Sequence, residues 1–239
     1  LPKPDHIDLD GLRVPILYED PAVMAIDKPA GWLIAPEDWT HTRRNLQLEL
    51  RSSIAAGDHW ARSRQIRFLR FIHRLDADTS GVLLLARSPG ALRAYSRLFQ
   101  ERRITKRYLA IVRGRPSASA WTCLLRLSDD PRQPGRVRVD PRHGQQAETR
   151  FRVLATSADR VLVEAQPITG RTHQIRVHLA AARLPVLGDS LYGPPDLQPA
   201  DRDRGLALRA IELQFMDPFR HRPVTIAAPS DPFLKSWLP

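Results

Sequence analysis

An α+β fold built on a mixed, largely antiparallel β-sheet is the class this sequence predicts, on three observations. Short apolar runs of strand length recur from Val14 to Ile226. Three stretches only, near residues 45, 88 and 173, carry helical spacing. Proline, at 21 residues against a usual ~5%, clusters between the runs, where loops are expected. Many strands with a few interspersed helices favour α+β over a wound parallel sheet.

In chain order, Val14 to Tyr18 and Val23 to Ile26 read as strands split by the turn Glu19-Asp20-Pro21. Asn45 to Ala56 reads as a helix, with Leu46, Leu50 and Ile54 one turn apart, and Gly57 ends it. Phe68 to Ile72 and Val82 to Ala86 are strand-length runs flanking a polar loop, His73 to Gly81. Ser88-Pro89 opens a helix whose Leu92, Tyr95, Leu98 and Phe99 follow at helical spacing. Strands are then expected at Tyr108–Val112, Trp121–Leu125, Val137–Val139, Glu148–Leu154 and Val161–Gln166, a helix at His173–Arg183, and strands at Leu206–Phe215 and Val224–Ile226. Residues 126–147 and 193–205 read as long loops or insertions. With no repeat, low-complexity tract or clear linker, residues 1–239 are expected to form a single domain with its core at about 14–227.

The 239 residues are long enough to bury a substantial core, and 42% hydrophobic against 26% charged residues is ordinary globular composition. A lone cysteine, Cys123, excludes an intramolecular disulfide framework and a cysteine zinc site. No apolar run approaches the ~18 residues of a membrane span, and no signal-peptide core follows Leu1, so a cytoplasmic protein is expected. The net charge of +11 and pI near 10.8 point to a polyanionic partner, nucleic acid foremost. Only Lys3, Lys28, Lys106 and Lys235 are lysines. Arginine suits RNA because its fork grips phosphate and its plane stacks on bases; a high-GC genome would produce the same bias without any functional meaning.

Three segments carry candidate chemistry. In the first, His73-Arg74-Leu75-Asp76-Ala77-Asp78-Thr79-Ser80-Gly81, the aspartates mimic the opening of a calcium loop. The position that needs a bidentate acid is Arg87, so calcium is rejected. Two readings remain: a turn in which Asp76 or Asp78 caps backbone amides, or a carboxylate held ionised near Arg74 and ready as nucleophile or base. The second segment runs from Thr169 to His178. Its histidines, His173 and His178, lie about 140° apart around a helix, which is wrong for a zinc pair, so no metal is expected. What remains is a cationic helix start with Arg171 before it and Arg176 one turn in, suited to a phosphate or to a carboxylate from elsewhere in the chain. Ile175, Val177 and Leu179 argue against a fully solvated helix. In the third, Tyr108 beside Lys106 and Arg107 is either packing or a base-stacking platform whose cations hold phosphates.

Taken together these motifs closely resemble the RluA-type pseudouridine synthase family. The resemblance rests on Asp27-Lys28-Pro29-Ala30-Gly31, then His73-Arg74-Leu75-Asp76 with Asp78-Thr79-Ser80-Gly81, then Lys106-Arg107-Tyr108, Gly170 to His178, and Gly188-Asp189 with Leu191-Tyr192-Gly193. It covers roughly residues 14–227, and His73 favours the RluA branch over its RsuA-type sister.

The resemblance implies the pseudouridine synthase fold with a central catalytic cleft, and isomerisation of uridine to pseudouridine in ribosomal or transfer RNA. Asp76 is implied as the essential aspartate, Arg176 as the arginine that pairs with it, and Tyr108 as the residue that stacks on the uracil. Arg74 is implied to fill the gap left by a flipped-out nucleotide; Thr79, Lys106, Arg171 and His173 complete the expected RNA-binding set. An internal rearrangement needs no cofactor and no metal, and Asp27-Lys28-Pro29 is then a structural turn and not a nucleotide site. Extruding the target base costs a few kcal/mol, least in loops or bulges, and phosphate contacts offset part of it, so binding should weaken with salt.

Two departures from the family pattern stand out. The short stretch before Val14 leaves no room for the N-terminal S4-type RNA-binding domain that many relatives carry, so none is expected. After Gly31 the chain reads Trp32-Leu33-Ile34-Ala35-Pro36-Glu37-Asp38-Trp39 where the family often has a histidine or Pro-Gly. A monomer is expected, as no heptad or long apolar stripe calls for a partner. Two rivals are an idle RNA binder, whose sign would be loss of Asp76, Tyr108 or Arg176, and a two-carboxylate hydrolase, for which Asp76 and Asp78 alternate in direction.

Overall fold

The computed structural model describes residues 2–9, 11–34, 44–157, 159–193, 196 and 198–238. The chain divides into two compact units: Leu1–Ile104 with Leu213–Ala228, and Thr105–Glu212 with Pro229–Pro239. The first holds β1 (His6–Leu9), β2 (Leu12–Glu19), β3 (Val23–Lys28), α1 (Leu46–Ala56), α2 (His59–Arg62), β4 (Arg70–Phe71), β5 (Ser80–Ala86) and α3 (Pro89–Gln100). The second holds β6 (Thr105–Arg113), β7 (Ala120–Cys123), β8 (Leu127–Asp129), β9 (Val137–Val139), β10 (Thr149–Ser157), β11 (Arg160–Pro167), α4 (Gln174–Ala181) and α5 (Pro199–Asp203). Strand β12 (Leu208–Met216) begins in the second unit and ends in the first; β13 (Pro223–Ala227) belongs to the first and α6 (Asp231–Trp237) to the second.

In the first unit β1, β2, β3 and β5 form an antiparallel ladder, with Met24 opposite Leu85 and Ile26 opposite Leu83. Val23–Ile26 and Val82–Ala86 are apolar without alternation because both faces of these strands are buried. Helix α3 covers one face, packing Ala91, Tyr95 and Leu98 against Ala25, Leu84, Leu213 and Phe215, with the Tyr95 ring edge-on to Phe215 at 5.5 Å. Its start is fixed as the sequence predicts: Ser88 accepts a hydrogen bond from the Ala91 amide, and Pro89 occupies the first helical position. Asn45 likewise caps α1 through the Leu48 amide, and Gly57 ends it at φ 71°, left-handed backbone that glycine adopts without strain.

In the second unit β6, β11, β10 and β7 pair antiparallel in that order. Helix α4 is enclosed: every residue from Gln174 to Leu179 is buried. It begins one residue later than predicted, because His173 adopts left-handed backbone at φ 53° and stands outside the first turn.

Both segments expected as loops contain structure. Within 126–147, β9 is the strand expected at Val137–Val139, and the unforeseen β8 pairs with it in a small antiparallel ladder, Leu127 opposite Val139 and Asp129 opposite Val137. Leu127 and Val137 bury themselves against Val177 and Tyr192, a gain that three-residue strands show only in tertiary context. Within 193–205, α5 starts at Pro199. Strand β1 and helices α2 and α6 were also unforeseen; each is of seven residues or fewer, too short for a periodic signal. The class is α+β, as predicted.

Candidate active site

The loop bearing Asp76 joins β4 to β5, whose strands pair Arg70 with Ala86 and Phe71 with Leu85. Its first residue, His73, is a packing and anchoring group. The Leu84 amide donates to its Nε2 at 3.0 Å, and its ring stacks on Phe99 at 4.7 Å. Leu75 then turns into the core while Arg74 and Asp78 face solvent and Asp76 is half-buried. The Thr79 amide donates to the Asp76 carbonyl at 3.1 Å, closing the turn. Thr79 itself is buried, and its hydroxyl has no hydrogen-bond partner among the described residues.

Lys28, at the end of β3, holds this loop from beneath. Its ammonium is fully buried and donates to the carbonyls of Ala77 at 2.6 Å, Thr79 at 2.9 Å and Pro29 at 2.9 Å. Three donors meet three acceptors, the full capacity of an ammonium. Burial pulls its pKa down to about 8 while the charges of Asp78 and Asp76 push back, so the group stays cationic at neutral pH. The Gly31 amide adds a 2.9 Å bond to the same Ala77 carbonyl. The Asp27-Lys28-Pro29 segment is thus a brace for the Asp76 loop. Residues 35–39 of the divergent stretch after Gly31 lie outside the described residues.

In the second unit, Arg176 turns inward from α4 and meets a carboxylate. Its Nε donates to Asp189 Oδ2 at 2.8 Å and its Nη2 to Asp189 Oδ1 at 2.7 Å, with both side chains almost wholly buried. Burial pushes the Asp189 carboxyl up, but Arg176 and the amides of Tyr192 and Leu191 outweigh it and hold it below the usual range. Gly188 sets up this turn: a Cβ there would lie 1.6 Å from the Gly205 carbonyl oxygen. The Tyr192 ring lies 5.2 Å from the Arg176 guanidinium carbon, and its hydroxyl accepts from the Val137 amide at 2.7 Å and hydrogen-bonds His173 Nδ1 at 2.9 Å.

Gln174 uses its whole amide. Its oxygen accepts from the Thr169 hydroxyl at 2.6 Å and the Arg171 amide at 3.0 Å, and its nitrogen donates to the Glu148 carbonyl and the Thr149 hydroxyl. That hydroxyl bonds His178 Nδ1 at 3.0 Å, while Nε2 faces the Leu125 carbonyl at 3.0 Å. A carbonyl only accepts, so this network assigns the proton to Nε2. Burial pushes the His178 pKa down and keeps the ring neutral.

On β6, Tyr108 is largely buried. Lys106 shares its face and donates to the Thr169 carbonyl at 3.0 Å. Arg107 points the other way and is bound by Glu164 and, at 3.2 Å, by Glu212. It is a structural cation, so the expectation that both basic neighbours of Tyr108 hold phosphates is corrected for Arg107.

The predicted residues thus form two sets. Arg74, Asp76 and Thr79 share one loop of the first unit. Lys106, Arg171, His173 and Arg176 gather near the start of α4 in the second, with Arg171 exposed and donating to the Gln146 carbonyl at 3.1 Å. Sequence reasoning read Lys28 only as part of a structural turn and missed the work of Gln174, Asp189 and Tyr192. All four lie inside the quoted motifs, but their partners are set by folding and not by spacing.

These loops belong to a known class of enzyme. The family described as RNA pseudouridylate synthase matches residues 22–181, and the chain belongs to that family: it is an isomerase that acts on uridine in RNA. Among its relatives, it is 34% identical over 230 residues to ribosomal large subunit pseudouridine synthase C of Vibrio cholerae and 36% identical over 230 residues to that of Escherichia coli strain K12; each alignment covers 93% of this chain and 68% of the relative. Human RNA pseudouridylate synthase domain containing 1 superposes with a TM-score of 0.73 at 29% identity, over 93% of this chain and 85% of that one. Its counterpart, domain containing 4, gives 0.73 at 26% identity, over 92% and 90%.

Proposed function

We propose that this enzyme isomerises one or more uridines in large-subunit ribosomal RNA, with Asp76 as its catalytic carboxylate. The bond from uracil N1 to C1′ breaks, the base turns, C5 joins C1′, the C5 hydrogen leaves as a proton, and N1 takes up a proton in its place. The observation that carries the reading is the braced loop. Lys28 and Gly31 fix the backbone at Ala77 and Thr79, so the half-buried Asp76 is presented from a rigid support, as a group held for chemistry must be. The relatives named for ribosomal large subunit modification supply the substrate class.

In this reading Tyr108 stacks on the uracil and Arg176 supplies the cation of the reaction. Arg74, Arg171, Lys106 and His173 hold the RNA. Thr79, expected in the RNA-binding set, is nearly all buried and enters instead as support for the Asp76 loop. Residues 1–239 act as one catalytic domain, a monomer in the cytoplasm where its RNA is found.

The test is to incubate separate large-subunit, small-subunit and transfer RNA transcripts with the protein, label them with a carbodiimide whose adduct survives alkali on pseudouridine, and map reverse-transcriptase stops. Stops confined to the large-subunit RNA are the expected result. Stops confined to either other RNA overturn the substrate assignment, and no stops in any of the three overturn the activity.

A further inference from the structure

We infer that Asp189 is a positioning residue for the reaction, acting through Arg176, with Tyr192 completing the clamp; the inference rests on the proposed role of Arg176 as the cation of the reaction. Two parallel hydrogen bonds from Nε and Nη2 fix both the plane and the direction of the guanidinium. A single contact would leave it free to swivel about the long side chain. The carboxylate is itself anchored, because Asp189 Oδ1 also accepts from the Leu191 amide at 2.9 Å and the Tyr192 amide at 3.0 Å. The Gly193 amide donates to the Asp189 carbonyl at 2.9 Å and tightens the same turn.

Tyr192 closes the arrangement from the side. Its ring lies against the guanidinium, and its hydroxyl is tied to β9 through Val137 and to the residue before α4 through His173. Arg176 is thereby held by a fork and a ring, each pinned to the backbone. Stability alone does not call for this, since a buried ion pair commonly contributes no more than a well-packed apolar pair of equal volume. What the clamp adds is a guanidinium with one orientation, the property a charge must have to meet a reacting group without reorganising.

The test compares full-length wild type with Asp189→Asn and Tyr192→Phe, with folding checked by circular dichroism. Asparagine keeps the oxygen that accepts from the Leu191 and Tyr192 amides but loses the charge and the second acceptor of the fork. Three quantities are read: the RNA dissociation constant, the single-turnover rate of tritium release from 5-tritiated uridine at saturating RNA, and the Arg176 Nε–H resonance in a ¹⁵N spectrum. The expected result for Asp189→Asn is a rate about 10- to 100-fold lower, an affinity within about twofold of wild type, and a displaced Nε–H resonance.

If Asp189→Asn fails to fold, Tyr192→Phe carries the test, with a rate several-fold lower at unchanged affinity. A folded Asp189→Asn protein with a displaced resonance and the wild-type rate overturns the inference, as does a loss confined to affinity. If Asp76→Ala also keeps the wild-type rate, the proposed function has failed. If Asp76→Ala is inactive and Asp189→Asn is not impaired, only this inference has failed.

Discussion

Lys28 Nζ donates to the carbonyl oxygen of Ala77 at 2.6 Å, tying two residues 49 positions apart in sequence and fixing the backbone immediately after Asp76. Replacing Lys28 with methionine keeps most of its volume and leaves the Pro29, Ala77 and Thr79 carbonyls without their donor. Stability should fall by about 2–4 kcal/mol, and turnover should fall at least tenfold in protein that remains folded. Urea denaturation and single-turnover assays check both. Full turnover in Lys28→Met would show that the brace is dispensable.

His178 gives a pH dependence with a definite sign. Its folded pKa lies below the ordinary value of 6.5, so on acidification the unfolded chain takes up a proton before the folded one. Stability contributed by the neutral ring is present above pH 6.5 and is lost as pH falls through that value and below it. Unfolding free energies at pH 7.5 and 5.5 should show this loss, and His178→Gln should show a smaller difference between the two pH values. An equal difference in the variant would place the acid sensitivity elsewhere.

Arg107 is assigned to structure. Its guanidinium is about one-third exposed, so the loss on Arg107→Met is modest, about 1 kcal/mol after solvent screening. RNA affinity should stay within twofold of wild type. A tenfold loss of affinity with unchanged stability would return Arg107 to the phosphate-binding role its position beside Tyr108 first implied.

How much was legible follows from where the information resides. The opening of α3 at Ser88-Pro89 and the glycine stop at Gly57 could be read because each acts on backbone within a few residues. Strand β9 was read at Val137–Val139, but its partner β8 was not, because Leu127–Asp129 pairs only once Val177 and Tyr192 give the ladder something to bury against. The same split runs through the site. Motif order pointed to Asp76 and Arg176, yet the partner of Arg176 lies thirteen residues on, in a turn whose geometry depends on the close approach of Gly188 to Gly205. The alternative raised for the start of α4, a carboxylate drawn from elsewhere in the chain, is met by Asp189.

Arg74 is exposed beside Asp76 and is proposed to contact RNA. The logarithm of the binding constant should fall linearly with the logarithm of salt concentration, and Arg74→Ala should lessen that slope by about 0.7–0.9, the share of one phosphate. Fluorescence anisotropy between 50 and about 200 mM salt measures it. A slope equal to wild type would remove Arg74 from the phosphate contacts.

Asp76-dependent isomerisation is the central claim, and release of tritium from 5-tritiated uridine in large-subunit ribosomal RNA tests it most directly, because forming the bond from C5 to C1′ expels the C5 hydrogen. Wild type should release tritium in proportion to the uridines modified, and Asp76→Ala should release none while still binding the RNA. Release at the wild-type rate from Asp76→Ala would contradict the account.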